Sequence, residues 1–222
     1  MKLLSCLLVG FKWQQRSQLT PNTFYVGGQK GKTSTGFQSQ LASSSVSVED
    51  RNEKLSKVLS TAENIGQVGY LASEEDQLLM EEVAKEAIPF SLDKPGRFQL
   101  KGEHQLVYSA AEGASSGRVF GNVVGKVSQL FEDDETFYNR VRFGPLEISL
   151  RAKREIKNDS TIKVTFLETS FNLFGKTLKK GEVSGGGVWK VKFVGEVEDE
   201  KGGKKLVRIM ETPSLFILEQ DL

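Results

Sequence analysis

The chain has 222 residues, 30 Lys and Arg against 29 Asp and Glu, and a formal net charge of +1. That length suits one ordinary domain with a sizeable core, with or without a leader. The balance of charge gives no whole-molecule signal for nucleic acid or acidic membranes.

The charge is unevenly spread. Met1 to Val48 carries five basic residues (Lys2, Lys12, Arg16, Lys30 and Lys32) and no acid, which leaves 25 basic against 29 acidic residues, a net of −4, from Glu49 onward. A basic, hydroxylated, acid-free stretch has the composition of an organelle transit peptide, so residues 1–48 are expected to be a disordered targeting leader. A plain disordered tail, or a signal-peptide core over Leu3 to Phe11, are the other readings. That apolar run is too short to span a bilayer, and no later run qualifies. The only cysteine, Cys6, lies in this leader; without it, thiolate chemistry, disulfides and cysteine metal sites are excluded. With a single histidine, a zinc site of ordinary ligands is close to excluded too, and no metal or cofactor is expected. "GGQKGKTS" (Gly27 to Ser34) resembles a phosphate loop, but the required first glycine falls on Val26.

From residue 49 to 98 the pattern is helical. Leu55, Val58, Leu59 and Ala62 form one stripe, and Gly66 and Gly69 interrupt it. Ser73 reads as the N-cap of a second helix, with Glu74, Glu75 and Asp76 in its first turn. Leu79, Val83 and Ala87 continue its apolar face, and Pro89 stops it.

From 99 to 222 the period changes to two. Leu146 to Lys153, Ile162 to Phe166 and "VWKVKFVGEVE" alternate apolar and polar residues, the mark of strands with one wet face. Turn residues separate about eight or nine strands, near 103–109, 117–131, 135–143, 146–156, 160–174, 177–183, 187–198, 204–211 and 214–220. So many short antiparallel strands must deal with their edges, and an up-and-down barrel does so; a β-sandwich fits the alternation nearly as well. The expected fold is mainly β, an antiparallel up-and-down barrel of about eight to nine strands preceded by two short amphipathic helices.

Chemistry is sparse. His104 is the sole histidine, and "GASSG" places Ser115 in a Gly-x-Ser-x-Gly frame. That motif needs a strand-to-helix elbow in an α/β sheet, whereas strand follows here, so a loop and a structural or rim histidine are expected. Arg140, Arg142, Arg151, Lys153 and Arg154 read as a solvated sheet face, since Glu147 and Glu155 interleave and no aromatic stacking run accompanies them. What remains is the inward apolar face: Tyr108, Leu146, Ile148, Leu150, Val164, Phe166, Trp189, Val191 and Phe193. It is core by default, or the lining of an apolar cavity.

Several stretches, in their order, carry a resemblance. "KLSKVLSTAENIGQVGYLASEEDQLLMEEV" is followed by Gly102-Glu-His104-Gln-Leu106-Val-Tyr108-Ser109, then "SSGRVFGNVVGKVSQLF", then Leu206-Val-Arg208-Ile209 and Leu215-Phe216-Ile217-Leu218. From Arg51 to Leu218 this resembles the plastid lipid-associated proteins, or fibrillins, which implies a lipocalin-like barrel over 99–222 and makes the leader over 1–48 a disordered plastid transit peptide. His104 stands where that family has Trp, Glu211 where it often has a second Arg, and "TPS" replaces its Gly-rich turn. The resemblance implies a non-enzymatic protein at plastoglobules or thylakoids that binds or organises isoprenoid lipids such as quinones, tocopherols or carotenoids. The alternative is a structural coat of plastid lipid bodies with a filled barrel.

Overall fold

The structure is a computed structural model that describes residues 47–119, 123–198 and 202–222. These belong to one compact unit, Val46–Leu222. The leader read in residues 1–48 and the Gly27 to Ser34 loop lie outside the described residues, apart from Ser47 and Val48.

Helix α1 (Val48–Ile65) starts where Ser47 Oγ accepts the Asp50 N–H at 3.0 Å. Glu49 and Asp50 in its first turn favour the positive end of the helix. It ends at Gly66, whose φ of 93° continues no helix. Helix α2 (Glu74–Ala87) is capped likewise by Ser73, which accepts from the Asp76 N–H. Its buried face is Met80, Val83, Ala84 and Ala87: Val83 and Ala87 lie on it as expected, while Leu79 is 45% exposed and Met80 takes its place. Both sets have helical spacing. The one with two alanines meets Leu55, Val58 and Ala62 of α1. Lys54 and Glu86 pair at 3.0 Å across the two helices.

The remainder is antiparallel sheet, as expected. Strands β1 (Gly102–Ser109), β4 (Lys126–Phe131), β5 (Thr136–Phe143), β6 (Leu146–Asn158), β7 (Thr161–Leu173), β8 (Lys176–Glu182), β9 (Gly186–Glu198), β10 (Lys204–Glu211) and β11 (Leu215–Asp221) form one nine-stranded sheet. A two-residue hairpin, β2 (Arg118–Val119) with β3 (Val123–Val124), stands apart. The single strand expected over 117–131 is therefore three pieces. Gly117 adopts φ 87°, and a Cβ on Gly125 would lie 2.8 Å from the Arg142 carbonyl oxygen, so glycine permits both the turn and the close approach.

The strands ring round without forming a clean barrel. Neighbours run β1-β4-β5-β6-β7-β9-β10-β11 and back to β1. Strand β7 holds the irregularity, because it changes partner midway. Thr161 to Thr165 pair with β9, while Glu168 to Leu173 pair with β8, which leaves the ring as a flap. Closure rests on Gly186, where a Cβ would lie 2.0 Å from the Val164 carbonyl oxygen. Only glycine lets the two backbones come so near.

One side of β1, β9, β10 and β11 is covered by the helices: Tyr108, Phe193, Val197, Val207, Ile209 and Ile217 cluster with both helix faces. Fully burying each such side chain contributes roughly 1.5–3 kcal/mol. Gln67, in the interhelix linker, donates to the Ser116 and Gly125 carbonyls at 2.7 and 2.9 Å and ties the helices to one end of the ring.

Candidate functional site in the ring interior

The register sorts each strand into two faces. Paired residues share a face, so the chain of pairs His104–Gln129–Asn139–Leu150 crosses β1, β4, β5 and β6 on the side away from the helices. Following the pairs onward puts Ile148, Ala152, Arg154, Val164, Phe166, Trp189, Val191, Arg208, Met210 and Leu218 on the same inner face. Of the residues expected there, Ile148, Leu150, Val164, Phe166, Trp189 and Val191 are buried inside, and Leu146 lies half-buried at one end.

Tyr108 and Phe193 are not on this face. The register shifts between Leu106 and Tyr108 against β11, and between Val191 and Phe193 against β10. Each bulge inserts one residue and turns the following side chain to the other face. Both rings therefore pack in the helix-covered cluster, and a Cβ on Gly69 would strike the Tyr108 ring at 2.1 Å.

Aromatic rings fill part of the interior. Phe131 stacks on Phe137 at 5.2 Å, and Phe137 meets Trp189 edge-on at 5.7 Å. Strands β5 and β9 are not neighbours, so this contact spans the lumen.

A polar row lies beside these rings. His104 is fully buried, with its ring edge-on to Phe131 at 5.4 Å. Neither of its ring nitrogens has a hydrogen-bond partner, so it forms no pair with Ser115. Ser116, next along, gives its hydroxyl to the Gly113 carbonyl at 2.8 Å. Arg208, 1% exposed, donates to Gln129 Oε1 at 3.2 Å and to the Met210 sulfur at 3.0 Å, and lies 5.1 Å from the Phe131 ring centre. The Arg154 guanidinium donates to the Phe98 carbonyl at 2.9 Å. The Nε of both arginines and Nδ2 of Asn139 have no partner.

Burial dominates the electrostatics. It pulls the His104 imidazole down to about 3, with the Arg208 charge adding to the effect. It pulls the Arg208 guanidinium down to about 9, with Arg154 adding. The Arg154 guanidinium is lowered too, by burial, against the opposing pull of Asp134.

Arg154 thus departs from the solvated face expected of it. Counting by twos from Leu146 places it inward with Ile148, Leu150 and Ala152, and that signal was present in the sequence. Arg208 sits within the apolar run "LVRIM", both faces of which are buried. The other basic strand residues do lie outside. Arg142 pairs with Glu147 and Glu103, both at 2.9 Å, and borders an external recess of about 460 Å³ that also includes Arg140, Asn172 and Phe174.

Among the described residues, no group of three or more His, Cys, Asp or Glu is placed to hold a metal ion, and no helix is long and apolar enough to cross a membrane. What these features define is a β-ring protein with two covering helices and an apolar interior that holds two buried arginines. No protein-family model, no curated protein and no solved structure matches the chain.

Proposed function

We propose that the chain is a non-enzymatic, plastid lipid-associated protein of the fibrillin kind, whose ring of strands holds one lipid molecule at plastoglobule or thylakoid surfaces. The observation that carries the reading is the inner face, where Ile148, Leu150, Val164, Phe166, Trp189 and Val191 point into a nearly closed ring. An elongated apolar molecule gains about 25 cal/mol for each Å² of apolar surface buried there. The order of sequence motifs supports the family, and the leader's composition supports the compartment.

A specific observation favours the coat reading as its rival. The flap carries Phe174 and Leu178, 78% and 62% exposed, beside the exposed Lys176, and the ring contact through Phe137 and Trp189 fills the lumen at one level. Apolar tips beside a lysine suit a lipid surface.

The test is extraction of the purified full chain with organic solvent, then titration of isoprenoid quinones and carotenoids against fluorescence. A Trp13→Phe background leaves Trp189 as the single reporter. Co-extracted lipid and saturable quenching are expected. If no lipid extracts and none quenches, while the protein still floats with lipid droplets, the coat reading replaces this one.

A further inference from the structure

The interior holds more positive charge than its own side chains balance. Arg208 has five N–H donors, and its guanidinium bonds one amide oxygen and one thioether, a weak acceptor. Its Nε is buried without a partner, and so are the Nε of Arg154, Nδ2 of Asn139 and both nitrogens of His104. Among the described residues no carboxylate pairs with Arg208, and the charge that acts on it is the like charge of Arg154. Buried charges are ordinarily paired, and buried donors ordinarily bonded. Here several unbonded nitrogens lie on one inner face, with His104 and Asn139 both opposite Gln129 in the register and Gln129 bonded to Arg208.

We propose that the ring interior takes an amphiphile with a carboxylate head, which Arg208 grips while Arg154, His104 and Asn139 supply further contacts, and an unbranched hydrocarbon tail that lies along Trp189 and Leu150. The inference rests on the lipid-holding reading of the ring and narrows its ligand from neutral isoprenoids to long-chain acids. A guanidinium fork matches a planar carboxylate with two parallel bonds, which an ester or alcohol cannot reproduce. His104 stays neutral at pH 7 and offers an N–H without adding charge. The aromatic stack beside the row shields the pair from water, and a charge-assisted bond gains strength there.

The experiment uses the full chain carrying Trp13→Phe. The probes are cis-parinaric acid, its methyl ester and plastoquinone, each titrated and then displaced by oleic acid or methyl oleate. The acid is expected to bind at least tenfold more tightly than its ester, and Arg208→Met to abolish the difference while binding of the ester persists. Arg208→Lys, which keeps the charge but not the fork, is expected to retain part of the preference. Equal affinity for acid and ester overturns the carboxylate inference and leaves the lipid reading standing. Binding of plastoquinone alone does the same. Failure of all three probes overturns both. The comparison of acid with ester in the unsubstituted ring requires no variant to fold, and an acid preference that survives Arg208→Met overturns the role given to Arg208.

Discussion

A guanidinium inside a ring of phenylalanines is expensive, and Arg208 shows how the expense is reduced. It lies over the Phe131 face and bonds Gln129, yet no acid among the described residues compensates its charge. Even a paired buried charge, replaced with its partner by apolar groups of similar volume, often leaves stability unchanged or raises it by about 1–4 kcal/mol, and an unpaired one has no partner's attraction to lose. Arg208→Met is therefore expected to raise the stability of the lipid-free protein by about 1 kcal/mol or more in urea unfolding; a clear loss would mean that the two bonds outweigh the buried charge. His104 gives a pH prediction. Its folded pKa is near 3 and its ordinary value 6.5, so between those limits the unfolded chain binds a proton that the folded chain does not. Stability then falls as pH drops below 6.5, by up to about 1.4 kcal/mol per unit for this group alone. His104→Phe removes that part of the acid sensitivity. Urea midpoints at pH 7 and pH 4.5 should lie closer together in the variant than in the parent, and an unchanged gap would count against the assignment.

At the scale of elements, backbone approach and face selection decide the outcome. The β7–β9 pairing that closes the ring needs Gly186, because a Cβ there would overlap the Val164 carbonyl. Gly186→Ala is expected to cost more than about 2 kcal/mol. Gly181→Ala on the flap, where a Cβ meets nothing within 4 Å, should stay within about 0.5 kcal/mol. Equal effects would show that closure does not depend on this contact. On α2, Met80→Ala should cost about 2–5 kcal/mol, and the half-exposed Leu79 clearly less, which checks the observed face against the one the spacing suggested. The same elements show what was legible in the chain. Period two marked β6, β7 and β9 and their inward residues, because one face of each is dry and the other wet. Tyr108 and Phe193 went astray because a bulge adds a residue without changing the alternation of types. Arg154 was legible by counting, but its charge argued for the surface and outweighed the count. The change of partner within β7 was not legible: Thr161 to Leu167 alternates, Glu168 to Leu173 does not, and neither half names the strand it pairs with.

For the whole molecule, two helices seal one side of a nearly closed ring, the interior holds rings and arginines, and the flap presents Phe174 and Leu178 to the outside. If the flap is the lipid-facing side, Phe174→Ser with Leu178→Ser should weaken flotation with plastoglobule-like droplets several-fold and leave solution binding of lipid unchanged; loss of both would place the ligand on the flap. On the proposed reading, lipid lies inside the ring, beside Trp189. Quenching of Trp189 by a brominated long-chain acid, set against quenching by aqueous iodide, measures it most directly in the Trp13→Phe chain. Strong, saturable quenching by the brominated acid is expected, while Trp189, 7% exposed, stays shielded from iodide. Saturable binding of that acid with Trp189 emission unchanged would put the lipid outside the ring and contradict the account.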